Sequence, residues 1–154
     1  MINLERMINY RRLKNISKLS ALCLACCIYT AANSQALHLY GGNNHKEYLG
    51  CLTCSNYDSN SIWNAYGTYG NNYNSKSIWN EYGTFGNEYN AQSPWNEYAN
   101  NPPVVVDKNG NFYGYFTINE YKSKRADFKL ALLVYKYHKQ IREDVSVWYS
   151  EIFK

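Results

Sequence analysis

Cys51 and Cys54, in the stretch GCLTC, are the side chains best equipped for chemistry in this chain, and the only cysteines beyond residue 27. A Cys-x-x-Cys pair can act as a redox couple, half of a zinc site or a short disulfide. Structural zinc takes four ligands, commonly as two close pairs; here there is one pair, with His38 and His45 as candidate completers. Ser55 stands where a c-type haem motif requires histidine, and no βαβ pattern surrounds the pair to suggest a thioredoxin-like couple. In an oxidising compartment a disulfide is the default, and a thiol pair left inert or bonded to another chain is the remaining alternative. Local geometry separates these cases. In a continuous strand, residues three apart face opposite ways with Cα atoms roughly 10 Å apart, beyond disulfide reach. In a bend the sulfurs can meet, and Gly50 before the pair with Ser55-Asn56 after it favours the bend.

Other reactive constellations are sparse. Nucleophilic catalysis needs a base within reach of the nucleophile and a group to orient it, and the three histidines His38, His45 and His138 belong to no recognisable motif. Glu81 with Glu97, or Glu88 with Asp58, are the conceivable carboxylate pairs for glycoside chemistry. Yet Glu81 and Glu97 fill one repeat position where the first copy has Ala65, as exposed filler would. No phosphate loop or calcium loop is present. The reading is a non-enzyme, with no catalytic residue, cofactor or metal assigned.

Which residues form the working protein depends on the N-terminus. Arg11, Arg12, Lys14 and Lys18 precede the apolar run Leu19 to Ala32, which gives way to small and polar residues, the layout of a secretory signal. The run is shorter than the ~20 residues a spanning helix needs, so cleavage is expected before Gln35 or before Leu37, leaving no stable membrane span. Residues 1–36 are read as a signal peptide and the product as exported, to the periplasm or the extracellular space. Removal takes with it the whole formal charge of +4, carried by Arg6, Arg11, Arg12, Lys14 and Lys18 against Glu5. The remaining chain is neutral, which excludes the phosphate-neutralising charge that nucleic-acid binding rests on.

An internal repeat dominates what is left. SIWNAYGTYGNNYN (Ser61 to Asn74) recurs sixteen residues later as SIWNEYGTFGNEYN (Ser77 to Asn90), then as SPWNEYANNPP (Ser93 to Pro103). Trp63, Trp79 and Trp95 align, as do Asn64, Asn80 and Asn96, and Tyr66, Tyr82 and Tyr98. In the third copy Ala99 and Pro102 replace the paired glycines, which ends the array. Serine before an apolar pair and glycine after tyrosine suit the caps of one short helical turn per unit. On such a turn Trp and Tyr, three apart, share one side. The rings either pack the units together or contact a ligand.

In the same register Cys51 and Cys54 take the places of Gly67 and Gly70. Around the repeats, LHLY-GGNNHK-EYLGCLT (Leu37 to Thr53) and VVVD-KNGN-FYGYFTI (Val104 to Ile118) each read as strand, turn, strand, with Gly50 and Gly114 in equivalent positions. Two related hairpins forming one antiparallel sheet are the economical arrangement. Beyond Asn119, Phe128, Leu132, Tyr135, Ile141, Val145, Trp148 and Ile152 recur at helical spacing and predict one or two amphipathic helices. The fold class is therefore α+β: residues 37–119 form a hairpin and repeat domain, and residues 120–154 a helical segment packed on it.

At SIWNEYGTFGNEYN and NPPVVVDKNGNFYGYFTIN the chain resembles a group of small exported bacterial proteins of uncharacterised function, built on repeated Ser-x-x-Asn-x-Tyr-Gly units. The resemblance covers Tyr48 to Asn119 and implies export and architecture, with no activity or site residues attached.

The reading that follows is a non-catalytic module whose repeated Trp, Tyr and Asn side chains contact a cell-envelope glycan or another envelope protein. Sugars stack their apolar faces on aromatic rings and offer hydroxyls to amides. Two alternatives stand beside it: a structural or self-assembling envelope protein, and a redox or metal accessory built on Cys51 and Cys54.

Overall fold

The computed structural model describes residues 35–154; the expected leader lies outside them apart from Gln35 and Ala36. The elements run in the order β1 (Leu37–Gly41), β2 (Glu47–Cys51), β3 (Val104–Asp107), β4 (Phe112–Tyr115), α1 (Lys129–Glu143) and α2 (Val145–Ile152), with a long succession of turns between β2 and β3. The architecture is α+β.

Two hairpins join through their first strands into an antiparallel sheet of order β2-β1-β3-β4. Side chains alternate across a strand, so Leu39, Leu49 and Val105 lie fully buried on one face while His38, Tyr40 and Val106 take the other. Each outer strand slips register at a glycine: Gly50 stands opposite Leu39 and Gly114 opposite Val105, with φ of +110° and +121°. Only glycine adopts such angles without strain, and a Cβ added there would stand 2.7 Å from Tyr69 Cβ or the Ala126 amide nitrogen. The residue after each glycine then bridges in parallel to a returning segment, Cys51 to Ser61 and Tyr115 to Arg125.

Residues 55–101 form single hydrogen-bonded turns. From Ser61 the backbone bonds advance to Asn64, Gly67, Asn71, Asn74 and Ser77, and from Ser77 they advance by the same steps to Asn80, Gly83, Asn87, Asn90 and Ser93. The first residue of most turns is Ser or Asn because its side-chain oxygen can accept the amide two residues on. Ser61, Ser77 and Ser93 accept from the Trp63, Trp79 and Trp95 amides at 3.1–3.2 Å, and Asn64, Asn80 and Asn96 from Tyr66, Tyr82 and Tyr98 at 2.8–3.1 Å. No turn propagates into a helix, so the three-residue spacing does not place Trp and Tyr on one side as expected. The serines and tryptophans point inward and the tyrosines outward.

The indoles knit the turns together. Each donates its N–H to a carbonyl of the preceding segment: Trp63 to Leu52 at 2.8 Å, Trp79 to Ile62 at 2.7 Å, Trp95 to Ile78 at 2.5 Å. Ring centroids are 6.0 Å apart for Trp63 and Trp79 and 5.4 Å for Trp79 and Trp95. A buried indole with its donor satisfied is a large packing element, and its truncation costs ~3–5 kcal/mol.

The helices share this core through Ala131, Val134, Tyr135, Ile141 and Val145. Asp144 divides them: its extended backbone ends α1, and its side chain accepts the Val147 amide at 3.0 Å to cap α2. The expected stripe holds at Tyr135, Ile141 and Val145, but Leu132 is exposed and Ala131 and Val134 take the inward positions. Among the described residues no helix is long and apolar enough to cross a membrane.

Candidate functional site

The candidate residues separate by burial. Trp63, Trp79 and Trp95 are 0 %, 0 % and 2 % exposed, so no external ligand reaches their faces, and their place in the molecule is the core. Asn64, Asn80 and Asn96 commit their carbonyl oxygens to the tyrosine amides, and Asn64 and Asn80 also donate to the carbonyls of Asp58 and Asn74. Tyr66, Tyr82 and Tyr98 face outward, each at least 85 % exposed.

Sequence reasoning missed the partners of these tyrosines. Tyr57, Tyr73 and Tyr89, at the same sixteen-residue interval, and Tyr121 beyond the array are 84–98 % exposed. Each sits two residues after a side-chain oxygen that accepts its amide: Ser55, Asn71, Asn87 and Asn119. The signal was present in the neighbours. Ile62-Trp63 and Ile78-Trp79 are apolar pairs, whereas each of these seven tyrosines stands beside Asn, Asp, Ala, Glu or Lys.

A groove runs between the array and α1. Across it Glu81 meets Arg142 at 3.4 Å and Glu88 meets Lys139 at 3.8 Å, while Arg142 also donates to the Gly86 carbonyl at 3.0 Å. Beyond these rungs the groove continues into a cleft of about 570 Å³ lined by Glu97, Tyr98, Glu120, Tyr121, Lys136 and His138 among others. The His138 ring lies 4.8 Å from Trp95 and within 9° of parallel, its Nδ1 2.7 Å from the Tyr135 carbonyl. Burial pushes this imidazole below its ordinary pKa, and Arg142 and Lys139 push it the same way, against the Tyr135 carbonyl and Glu88.

The outer face of the sheet carries a second cleft, of about 530 Å³, that includes His38, Tyr40, His45 and Tyr48. His38 Nδ1 lies 2.9 Å from the Tyr48 hydroxyl, and His45 Nε2 lies 3.0 Å from the Pro102 carbonyl. Burial and the neighbouring Tyr40 and Tyr69 push the Tyr48 phenol up. At its rim, burial raises the Asp107 carboxyl but hydrogen bonds from Asn111, Asn109 and Tyr113 outweigh it and hold it below the usual range.

His38 and His45 thus each meet another group, although His38 is the cross-strand partner of Cys51. Among the described residues no group of three or more His, Cys, Asp or Glu side chains is placed to hold a metal. Cys51 and Cys54 lie at disulfide distance with Cα atoms 5.5 Å apart, in a bend that starts as Cys51 leaves β2. Cys51 is fully buried.

No family profile, curated protein or solved structure matches the chain.

Proposed function

We propose that the chain is an exported, non-catalytic binding module that holds a polysaccharide of the cell envelope against its exposed tyrosines. The observation that carries this reading is the set Tyr57, Tyr66, Tyr73, Tyr82, Tyr89, Tyr98 and Tyr121, each 84–98 % exposed and each fixed at its amide by a neighbouring side chain. A large ring left in water forgoes burial energy, and a regular series of such rings marks a contact surface more than isolated exposure does. Holding the backbone of each ring in advance lowers the entropy lost on binding.

The spacing supports a polymer as ligand. Successive units are stacked at indole separations of 5.4–6.0 Å, similar to the advance of one sugar unit along an extended chain. Tyrosines repeated with the units then meet successive sugars. The neutral charge of the exported chain favours an uncharged or balanced surface over a polyanion.

End-on self-assembly through the repeats finds less support, because both ends of the array are already covered. Ser61 is bridged to Cys51 at one end, and at the other Ile118 donates to Pro94 and Asn101 to Ala91.

The test is retention of the purified mature protein on insoluble envelope polysaccharide. The wild type is expected to be retained in 1 M salt, and a Tyr57→Ser, Tyr66→Ser, Tyr73→Ser, Tyr82→Ser variant with unchanged tryptophan emission is expected to lose retention at least tenfold. Equal retention of the two proteins, or none by the wild type, rejects the reading.

A further inference from the structure

We propose that the cleft between the third repeat and α1 is a discrete subsite that seats one neutral hexopyranose unit of that polysaccharide. This rests on the reading above and names where a single sugar is held. The argument starts from the rungs of the groove. Glu81 in the second unit is matched by Arg142, and Glu88 by Lys139. Glu97 occupies in the third unit the place of Glu81, yet among the described residues neither it nor Glu120 forms an ion pair. Lys136 finds only the ring of Tyr137, 5.0 Å away, and Arg125 is turned to the Thr117 carbonyl and the Tyr135 ring. At the second unit these pairs bridge a cleft of about 530 Å³, whereas at the third the acids and bases leave their cleft unbridged.

The opening suits a sugar. Its volume of about 570 Å³ falls within the ~300–1,000 Å³ of small-molecule sites. Two carboxylates face two cations, so an ionic ligand of either sign gains little net attraction, while a polyol finds acceptors and donors together. Tyr98 and Tyr121 supply ring faces for the apolar side of a pyranose. His138 supplies a further acceptor: its Nδ1 is directed at the Tyr135 carbonyl, so in the neutral ring Nδ1 carries the proton and Nε2 keeps its lone pair.

The site also carries its own reporter. His138 is stacked on Trp95, and both border the same end of the groove. A sugar hydroxyl bonded to His138 alters the electronic environment of that indole, so occupancy changes Trp95 emission although the indole itself stays buried.

The experiment titrates the mature protein with cellotetraose and with the tetramer of N-acetylglucosamine, following tryptophan emission and calorimetry. Saturable binding of at least one, with an emission change, is expected. Glu97→Gln and Tyr98→Ser should each weaken it about tenfold or more, and His138→Gln should abolish the emission change. Unaltered binding by all three variants overturns the subsite; if the four-tyrosine variant has meanwhile lost polysaccharide retention, the wider reading survives. Retention on polysaccharide with no binding of either tetramer also overturns the subsite, and failure of the wild type to hold either form overturns both.

Discussion

The glycines of the repeat divide into two kinds. Gly83 has Asn80 atoms 3.2–3.4 Å from where a Cβ would stand, a close but relaxable contact, and the third unit carries Ala99 at this position, buried at 1 % exposure. At Gly86 an added Cβ would overlap the Asn80 backbone carbonyl, and Gly70 stands in the same relation to Asn64. Backbone cannot step aside as a flexible side chain can. Gly83→Ala is therefore expected to change stability by less than about 1 kcal/mol, whereas Gly86→Ala should cost ~1–3 kcal/mol or more, as overpacking does. Denaturant midpoints at equal slope check this, and equal losses for the two variants would show that the turns relax freely. The same residue-level reading explains why ring roles were hard to assign in advance. Trp and Tyr are both aromatic and recur at the same interval; the backbone between them, turn after turn with no helix, sends one inward and the other out, and the apolar or polar neighbour of each ring is the sequence signal that goes with it.

At the level of elements, much was legible. Leu37 to Gly41 announced itself by apolar alternation, Val104 to Asp107 by its run of β-branched valines, and Asn109-Gly110 by its turn chemistry; Gly110 has φ of +81° in the hairpin it was expected to make. The sheet and the C-terminal helices follow from such local signals. The cleft did not, because it is built from Glu97, Glu120 and His138, which are far apart in sequence and have no mutual spacing to read. The cysteine pair lay between these extremes: Gly50 marked the bend, and the bend brings the sulfurs together. Its loop is short, so the chain-entropy contribution of the bridge is limited to about 2 kcal/mol. Cys54→Ser, or reduction of the wild type, is expected to lower stability by no more than about that amount and to leave polysaccharide retention intact. Loss of retention with the fold preserved would return the sulfurs to the functional site.

For the whole molecule, the first question is where the chain would begin after the proposed export. Two cleavage positions fit the sequence, before Gln35 and before Leu37, and the packing of Gln35 discriminates between them. Its side-chain amide donates to Asp107 at 2.5 Å and accepts from the Tyr113 hydroxyl at 3.1 Å, while its carbonyl accepts from Thr53. Cutting before Leu37 would strip one donor, the Gln35 amide, from the buried Asp107 carboxylate and leave Tyr113 and Thr53 without their bonds to Gln35. On the proposed export route, intact mass of the secreted protein is expected to place its first residue at Gln35, and a product starting at Leu37 would show that these bonds are dispensable.

The same scale holds the claim on which the proposed function depends, that the outward tyrosines are the contact surface and the inward tryptophans are not. Tyrosine nitration mapped by mass spectrometry, with and without bound polysaccharide, tests it most directly. The account predicts that Tyr57, Tyr66, Tyr73, Tyr82, Tyr89, Tyr98 and Tyr121 react readily in the free protein and that those of the repeats are protected severalfold by the polymer, with Tyr135 inert in both. Reaction at unchanged rates in a demonstrably bound sample would contradict it.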